Sequence, residues 1–121
     1  MLCHVKRLFC VRRHFIYQTC MFRLYVRLFY MKQTIEQFVA NNPAWAVSGE
    51  TLVGNWQLAD FDEVKPLVVK LCDLADSLNH HPEVTFGYNT IQVTTTTHDA
   101  GNTITEKDIE LAQRVAQLMT D

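Results

Sequence analysis

From Met31 onward, apolar positions follow two alternating periods. Ile35, Phe38 and Val39 recur at helical spacing behind Thr34-Ile35-Glu36-Gln37, which has the form of a capping box with Thr at N-cap and Gln at N3. Asn41-Asn42-Pro43 then predicts a stop. Residues 45–48 and 51–58 read as a strand pair across Gly49-Glu50, with Leu52, Gly54, Trp56 and Leu58 on one face. A longer helical stripe follows: Phe61, Val64, Leu67, Val68, Leu71, Leu74, Ala75 and Leu78. Asp60 and Asp62 can both cap it. Pro66 favours the later start, which keeps it in the first turn. Asn79 closes the helix, because Asn tolerates a left-handed C-cap. Residues 84–88 and 91–97 form a second strand pair turning near Asn89-Thr90. Ile91, Val93, Thr95 and Thr97 share a face, and Gln92, Thr94, Thr96 and His98 share the other. After the loop Asp99-Ala100-Gly101-Asn102, Thr105-x-x-Asp108 caps a last helix whose stripe is Ile109, Ala112, Val115, Ala116 and Met119, with Ile104 placed to staple to Ile109. The order is α-β-β-α-β-β-α. Two hairpins imply an α+β domain with a four-stranded antiparallel sheet and helices packed on one face.

Charge changes the picture of the chain before Met31. The 121 residues carry 11 Lys+Arg and 13 Asp+Glu, a net −2. Residues 1–30 hold six of the basic residues and no acid. Residues 31–121 hold the other five and all thirteen acids, a balance of −8. An acidic foldable part would repel a phosphate backbone, which argues against a nucleic-acid-binding core. Three of four cysteines (Cys3, Cys10, Cys20) lie in the basic segment. Cys72 alone has no internal disulfide partner and reads as a small core residue of a reduced, cytoplasmic protein. Uninterrupted apolar runs reach only four residues, too short for a membrane span. Phe22, Tyr25, Val26 and Phe29 fall on one helical face with Arg23 and Arg27 off it. The first 30 residues therefore divide from the domain 31–121 as a transit-like, organelle-directing extension or as sequence upstream of the natural start at Met31, the slightly preferred reading. A membrane-surface helix ranks last.

Chemistry concentrates at element ends. His80 and His81 follow a helix, and His98 follows a strand. Imidazole gives and takes protons near neutrality. Asp76, one turn before His80, is spaced to orient an imidazole. Adjacent histidines before Pro82 also make an ordinary polar turn, at roughly even odds for an isolated pair. A three-histidine zinc site is a sharper rival, but the i, i+2 or i, i+4 ligand spacing is absent. Nucleotide-binding glycine motifs, GxSxG and CxxC are missing.

The run Ala75-Asp76-Ser77-Leu78-Asn79-His80-His81-Pro82, followed by Tyr88, Val93, Thr97-His98-Asp99 and Thr105-x-x-Asp108, resembles the pterin-4a-carbinolamine dehydratase family. The resemblance spans roughly residues 34–119 and none of residues 1–30. It implies the same α+β fold in a homodimer or homotetramer. It implies dehydration of 4a-hydroxytetrahydropterin to quinonoid dihydropterin, in tetrahydrobiopterin recycling, with no metal or organic cofactor and no direct nucleic-acid or membrane partner. Carried over by position, His80, His81 and His98 are the catalytic trio. His80 is the acid at the 4a-hydroxyl, His98 the base at N5, and His81 holds the ring or the developing charge, although these roles are exchangeable. Asn79, Thr96, Thr97 and Asp99 match substrate-contacting positions, and Asp76 stands where the family often has Glu. Two departures stand out. Val84-Thr85 replaces an aromatic pair of animal members, which weakens a coactivator role, and the loop Gly101-Asn102-Thr103-Ile104 is one residue longer than usual. The competing reading is a non-catalytic dimerisation or assembly cofactor of the same fold.

Overall fold

The computed structural model describes the backbone of residues 2–120 and the side chains of residues 21–120. Cys3, Cys10, Cys20 and the basic residues Lys6, Arg7, Arg12 and Arg13 lie outside the described side chains, as do His4 and His14. The chain divides into two compact units, Met1–Thr34 and Ile35–Asp121. The elements are α1 (Leu2–Asn41), β1 (Trp45–Ser48), β2 (Thr51–Gln57), α2 (Phe61–Leu78), β3 (Glu83–Phe86), β4 (Thr90–Thr95) and α3 (Glu106–Thr120), with one 3-10 turn at His98–Ala100. The expected order and α+β class are found. The sheet order is β1-β2-β4-β3, antiparallel throughout.

The sheet sorts its side chains by the period of two. Trp45, Leu52, Ile91, Val93 and Thr95 are buried on one face. Asn55, Thr85 and Gln92 stand exposed on the other, where Gln92 Nε2 donates to Asn55 Oδ1 at 2.9 Å across the β2–β4 pair. α2 packs against α3 and β3, and α3 against β2. They contribute Val64, Leu71 and Ala75 from α2 and Ile109, Leu111, Ala112 and Val115 from α3. Leu111, outside the predicted stripe, is fully buried.

Three local expectations are corrected. Thr34 is not an N-cap. It lies inside α1, and its hydroxyl donates to the Tyr30 carbonyl at 2.8 Å, the usual refuge of a mid-helix Thr. α2 begins at the earlier aspartate. Asp60 is extended and its Oδ1 accepts from the Glu63 N–H at 3.1 Å, while Glu63 Oε2 accepts from the Ala59 N–H at 3.0 Å. This reciprocal pair outweighs the proline. Pro66 sits inside the helix on its exposed side, where water can serve the carbonyl left without a partner. Cys72 is exposed rather than core, because the buried line through Leu71 and Ala75 runs about 100° away from it. The ends behave as the residue types dictate. Asn42 Nδ2 donates to the Phe38 carbonyl at 2.9 Å beyond α1, and Asn79 caps α2 at φ 49° and ψ 39°.

Gly54 is the one position in β2 where a side chain is forbidden by its neighbours. Trp45 and Trp56 meet edge to face, centroids 5.3 Å apart at 83°. A Cβ at Gly54 would fall 2.7 Å from Trp56 Cζ3 and closer still to Cη2. Gly54→Ala is expected to destabilise the domain by about 1–3 kcal/mol, as overpacking does. Thermal melting checks this, and an unchanged midpoint would show that the indole moves aside freely.

Candidate active site

The end of β4 carries a polar pair on an otherwise apolar face. Thr95 and Thr97 follow Ile91 and Val93 inward, and both threonines are buried. A buried hydroxyl needs a partner. The partner is Asp108, in the first turn of α3 and 0% exposed. Thr95 Oγ1 donates to its Oδ1 at 2.5 Å, and Thr97 Oγ1 to its Oδ2 at 2.6 Å. The Thr105 N–H donates to Oδ2 at 2.9 Å, completing the capping contact of Thr105-x-x-Asp108. The fourth donor is His80, whose Nε2 lies 2.7 Å from Oδ1. Burial pushes the Asp108 carboxyl up, but the bonds from Thr95, Thr97, the Thr105 N–H and His80 outweigh it and hold the group below its ordinary value. Asp108 is thus an ionised acceptor with both oxygens engaged.

This fixes the proton on His80. Thr95 gives its hydrogen to Asp108, and an ionised carboxylate has none to give, so Nε2 carries the hydrogen. Nδ1 is the nitrogen left to meet a substrate. The loop after α2 aims the ring. Asn79 turns left-handed, the His80 N–H returns to the Ala75 carbonyl at 3.1 Å, and the His80 side chain is only 12% exposed.

His81 points elsewhere. Its Nε2 lies 2.9 Å from Asp76 Oδ1, and both side chains are well exposed. Asp76 therefore serves His81, five residues on, rather than His80. His98 opens the 3-10 turn and is exposed, with Nδ1 2.7 Å from Asn102 Oδ1. Thr97 connects the two histidine neighbourhoods. It immediately precedes His98 and shares Asp108 with His80. Among the described residues, no group of three or more His, Cys, Asp or Glu side chains is arranged to hold a metal ion.

Comparison with known proteins supplies the lineage. The sequence profile of the pterin 4 alpha carbinolamine dehydratase family matches residues 30–118. The chain belongs to this family. It is 35% identical over 86 residues to a protein of Streptomyces coelicolor provisionally named pterin-4-alpha-carbinolamine dehydratase, covering 71% of this chain and 85% of that one. A protein of Thermomicrobium roseum with the same provisional name is 38% identical over 85 residues, 70% of this chain and 90% of its own. Among solved structures, a transcriptional coactivator/pterin dehydratase from Brucella melitensis superposes with a TM-score of 0.63 at 28% identity, covering 69% of this chain and 90% of that one. A pterin dehydratase-like RuBisCO assembly factor of the alpha-carboxysome superposes at 0.54 with 19% identity, over 62% and 88%, which shows the shared fold alone.

The remaining dehydratase-family positions are divided by the strand. Thr97 faces inward to Asp108. Thr96 takes the opposite face, where its hydroxyl donates to the Glu50 carbonyl at 3.0 Å. Asp99 is exposed in the 3-10 turn, and Asn79 is exposed at its cap. Asp108, which the sequence offers as a helix cap and as part of the family run but not as a site residue, is the acceptor beneath His80. The signal was present in two threonines on an apolar strand face, which require a buried polar partner.

Proposed function

We propose that the chain dehydrates 4a-hydroxytetrahydropterin to quinonoid dihydropterin by histidine acid/base catalysis. The observation that carries this is the buried Asp108 carboxylate holding His80 by Nε2 at 2.7 Å, inside a matched family domain. The reaction removes the 4a-hydroxyl and the N5 proton and leaves a C4a=N5 double bond and water. His80 donates from Nδ1 to the departing hydroxyl, and its charged form is balanced by Asp108 behind it. His98 takes the N5 proton on Nε2, since Nδ1 is engaged by Asn102. Solvent returns that proton from His98 to His80 between turnovers. His81, with Asp76 behind it, supports the bound ring from an exposed position, and Asn79, Thr97 and Asp99 border the same loops. The partner assignment has a physical basis: a carboxylate can balance a charged ring, and a neutral amide only orients one.

The test is direct. Purified protein is mixed with freshly generated 4a-hydroxytetrahydropterin, and the loss of carbinolamine absorbance is followed. Acceleration over buffer at micromolar protein is expected. No acceleration, together with recovery of a stoichiometric protein partner, would favour the non-catalytic cofactor reading that the assembly-factor neighbour illustrates. A homo-oligomer is part of the same proposal. Phe86 on edge strand β3 is 51% exposed and Val69 on α2 is 61% exposed, apolar surface that a second copy would cover.

A further inference from the structure

The use of His98 Nε2 as the base turns on the pairing of Nδ1 with Asn102, a residue the family resemblance does not place in the site. Two consecutive left-handed residues, Gly101 at φ 77° and Asn102 at φ 57°, reverse the chain after the 3-10 turn. The reversal is closed on all sides. The Gly101 N–H donates to the His98 carbonyl at 3.1 Å, the Thr97 N–H to the Thr103 carbonyl at 3.0 Å, and Thr103 Oγ1 to the Ala100 carbonyl at 3.0 Å. Asparagine tolerates that backbone better than most residues. The loop thereby swings the Asn102 amide back to the ring, with Oδ1 2.7 Å from His98 Nδ1.

We propose that Asn102 is a positioning residue that holds His98 in its Nδ1–H tautomer and leaves Nε2 as the proton-accepting nitrogen. The proposal deepens the dehydratase reading and rests on it for its catalytic meaning. An amide oxygen only accepts, so Nδ1 must carry the hydrogen. A neutral imidazole carries one hydrogen on its two nitrogens, so Nε2 is then free to take a proton from the substrate. Free histidine prefers the other neutral tautomer, so without this contact the free nitrogen and its direction both change. His80 is held by Nε2 and His98 by Nδ1, so the two rings offer opposite nitrogens to the substrate.

Three proteins test this: wild type, Asn102→Gly and Asn102→Asp. Glycine adopts φ 57° without penalty, so the first variant keeps the loop and removes only the amide. Aspartate keeps an acceptor oxygen at the same reach. Ring nitrogens are read by two-bond proton–nitrogen NMR at about pH 8, where unperturbed imidazole is neutral. The wild type is expected to show protonated Nδ1 and unprotonated Nε2 at His98. Asn102→Gly should move the signals toward Nε2–H, and Asn102→Asp should restore Nδ1–H. The kcat of Asn102→Gly should fall about 2- to 10-fold with KM little changed, the range expected for one neutral hydrogen bond, and Asn102→Asp should recover most of it. Wild type showing Nε2–H, as it would if the amide presented Nδ2, overturns the proposal. So does a Gly variant with the wild-type tautomer. A tautomer shift in a protein inactive on the carbinolamine would instead uphold Asn102 as the residue holding the ring and overturn the dehydratase reading.

Discussion

His80→Ala is expected to lower kcat for carbinolamine dehydration about 10²–10⁴-fold, the range for loss of a placed general acid. The effect should fall on kcat more than on KM, because a proton delivered to the leaving hydroxyl matters in the transition state and little in the ground state. The fold should survive. Asp108 keeps the Thr95, Thr97 and Thr105 donors when the ring is removed, so the buried carboxylate is not stranded. The ring itself is the large loss, since no other imidazole approaches Asp108 among the described residues. Added imidazole should restore part of the rate by occupying the vacated space beside Asp108. Stopped-flow decay of the carbinolamine gives kcat and KM, and a thermal melt confirms folding. A loss smaller than about tenfold would remove His80 from the acid role and leave His81 or His98 to supply the proton.

Local chemistry was legible in the sequence wherever it was settled within a few residues. The alternation Ile91, Val93, Thr95, Thr97 placed the inner face of β4 correctly, and Asn79 as a left-handed cap follows from its side chain alone. Helix starts were less legible, because the capping signature is short. Thr34-x-x-Gln37 satisfies it in the middle of a continuous helix, and at the start of α2 both Asp60 and Asp62 are residues of capping type although only Asp60 has a Glu three residues on. What no local pattern could supply is partner choice at long range. His80 bonds Asp108, 28 residues away, while Asp76 at helical spacing bonds His81 instead. The reason is geometric. The left-handed turn at Asn79 ends the helical repeat, so a spacing counted along α2 no longer says where the next ring points. The dehydratase family resemblance named the three histidines, but the arrangement of donors behind each of them came only with the fold.

Asp108 carries the largest expected effect on stability. Asp108→Ala would take the acceptor from the Thr95 hydroxyl and the Thr105 N–H, leave His80 only Thr95 Oγ1 at 3.1 Å and Thr97 only Thr105 Oγ1 at 2.6 Å, and strip α3 of a first-turn carboxylate. Breaking a buried charged network by removing one partner costs about 3–5 kcal/mol. Near the melting temperature, 1 kcal/mol shifts the midpoint by about 4–8 °C in a domain of this size, so a fall of more than about ten degrees is expected. Asp108→Asn keeps the volume and one acceptor oxygen and should lose less, because a hydroxyl can rotate to accept from the new amide. The pH dependence separates charge from shape. The folded protein holds the Asp108 carboxyl below its ordinary value, so protons bind the unfolded chain more readily. The stabilisation is complete above the unfolded value, about 3.9 for Asp, and is lost as pH falls through the lower folded value. Asp108→Asn has no such proton to bind. The stability gap between wild type and Asp108→Asn should therefore be constant from neutrality to about pH 5 and narrow progressively below about pH 4. Urea unfolding of both proteins across that range measures the gap. Wild type gaining stability relative to Asp108→Asn as pH falls from neutrality to about pH 4 would mean that Asp108 is already protonated in the folded state. It would then donate a hydrogen bond where the structure has it accept four, and His80 would lose the fixed charge that balances its acid form.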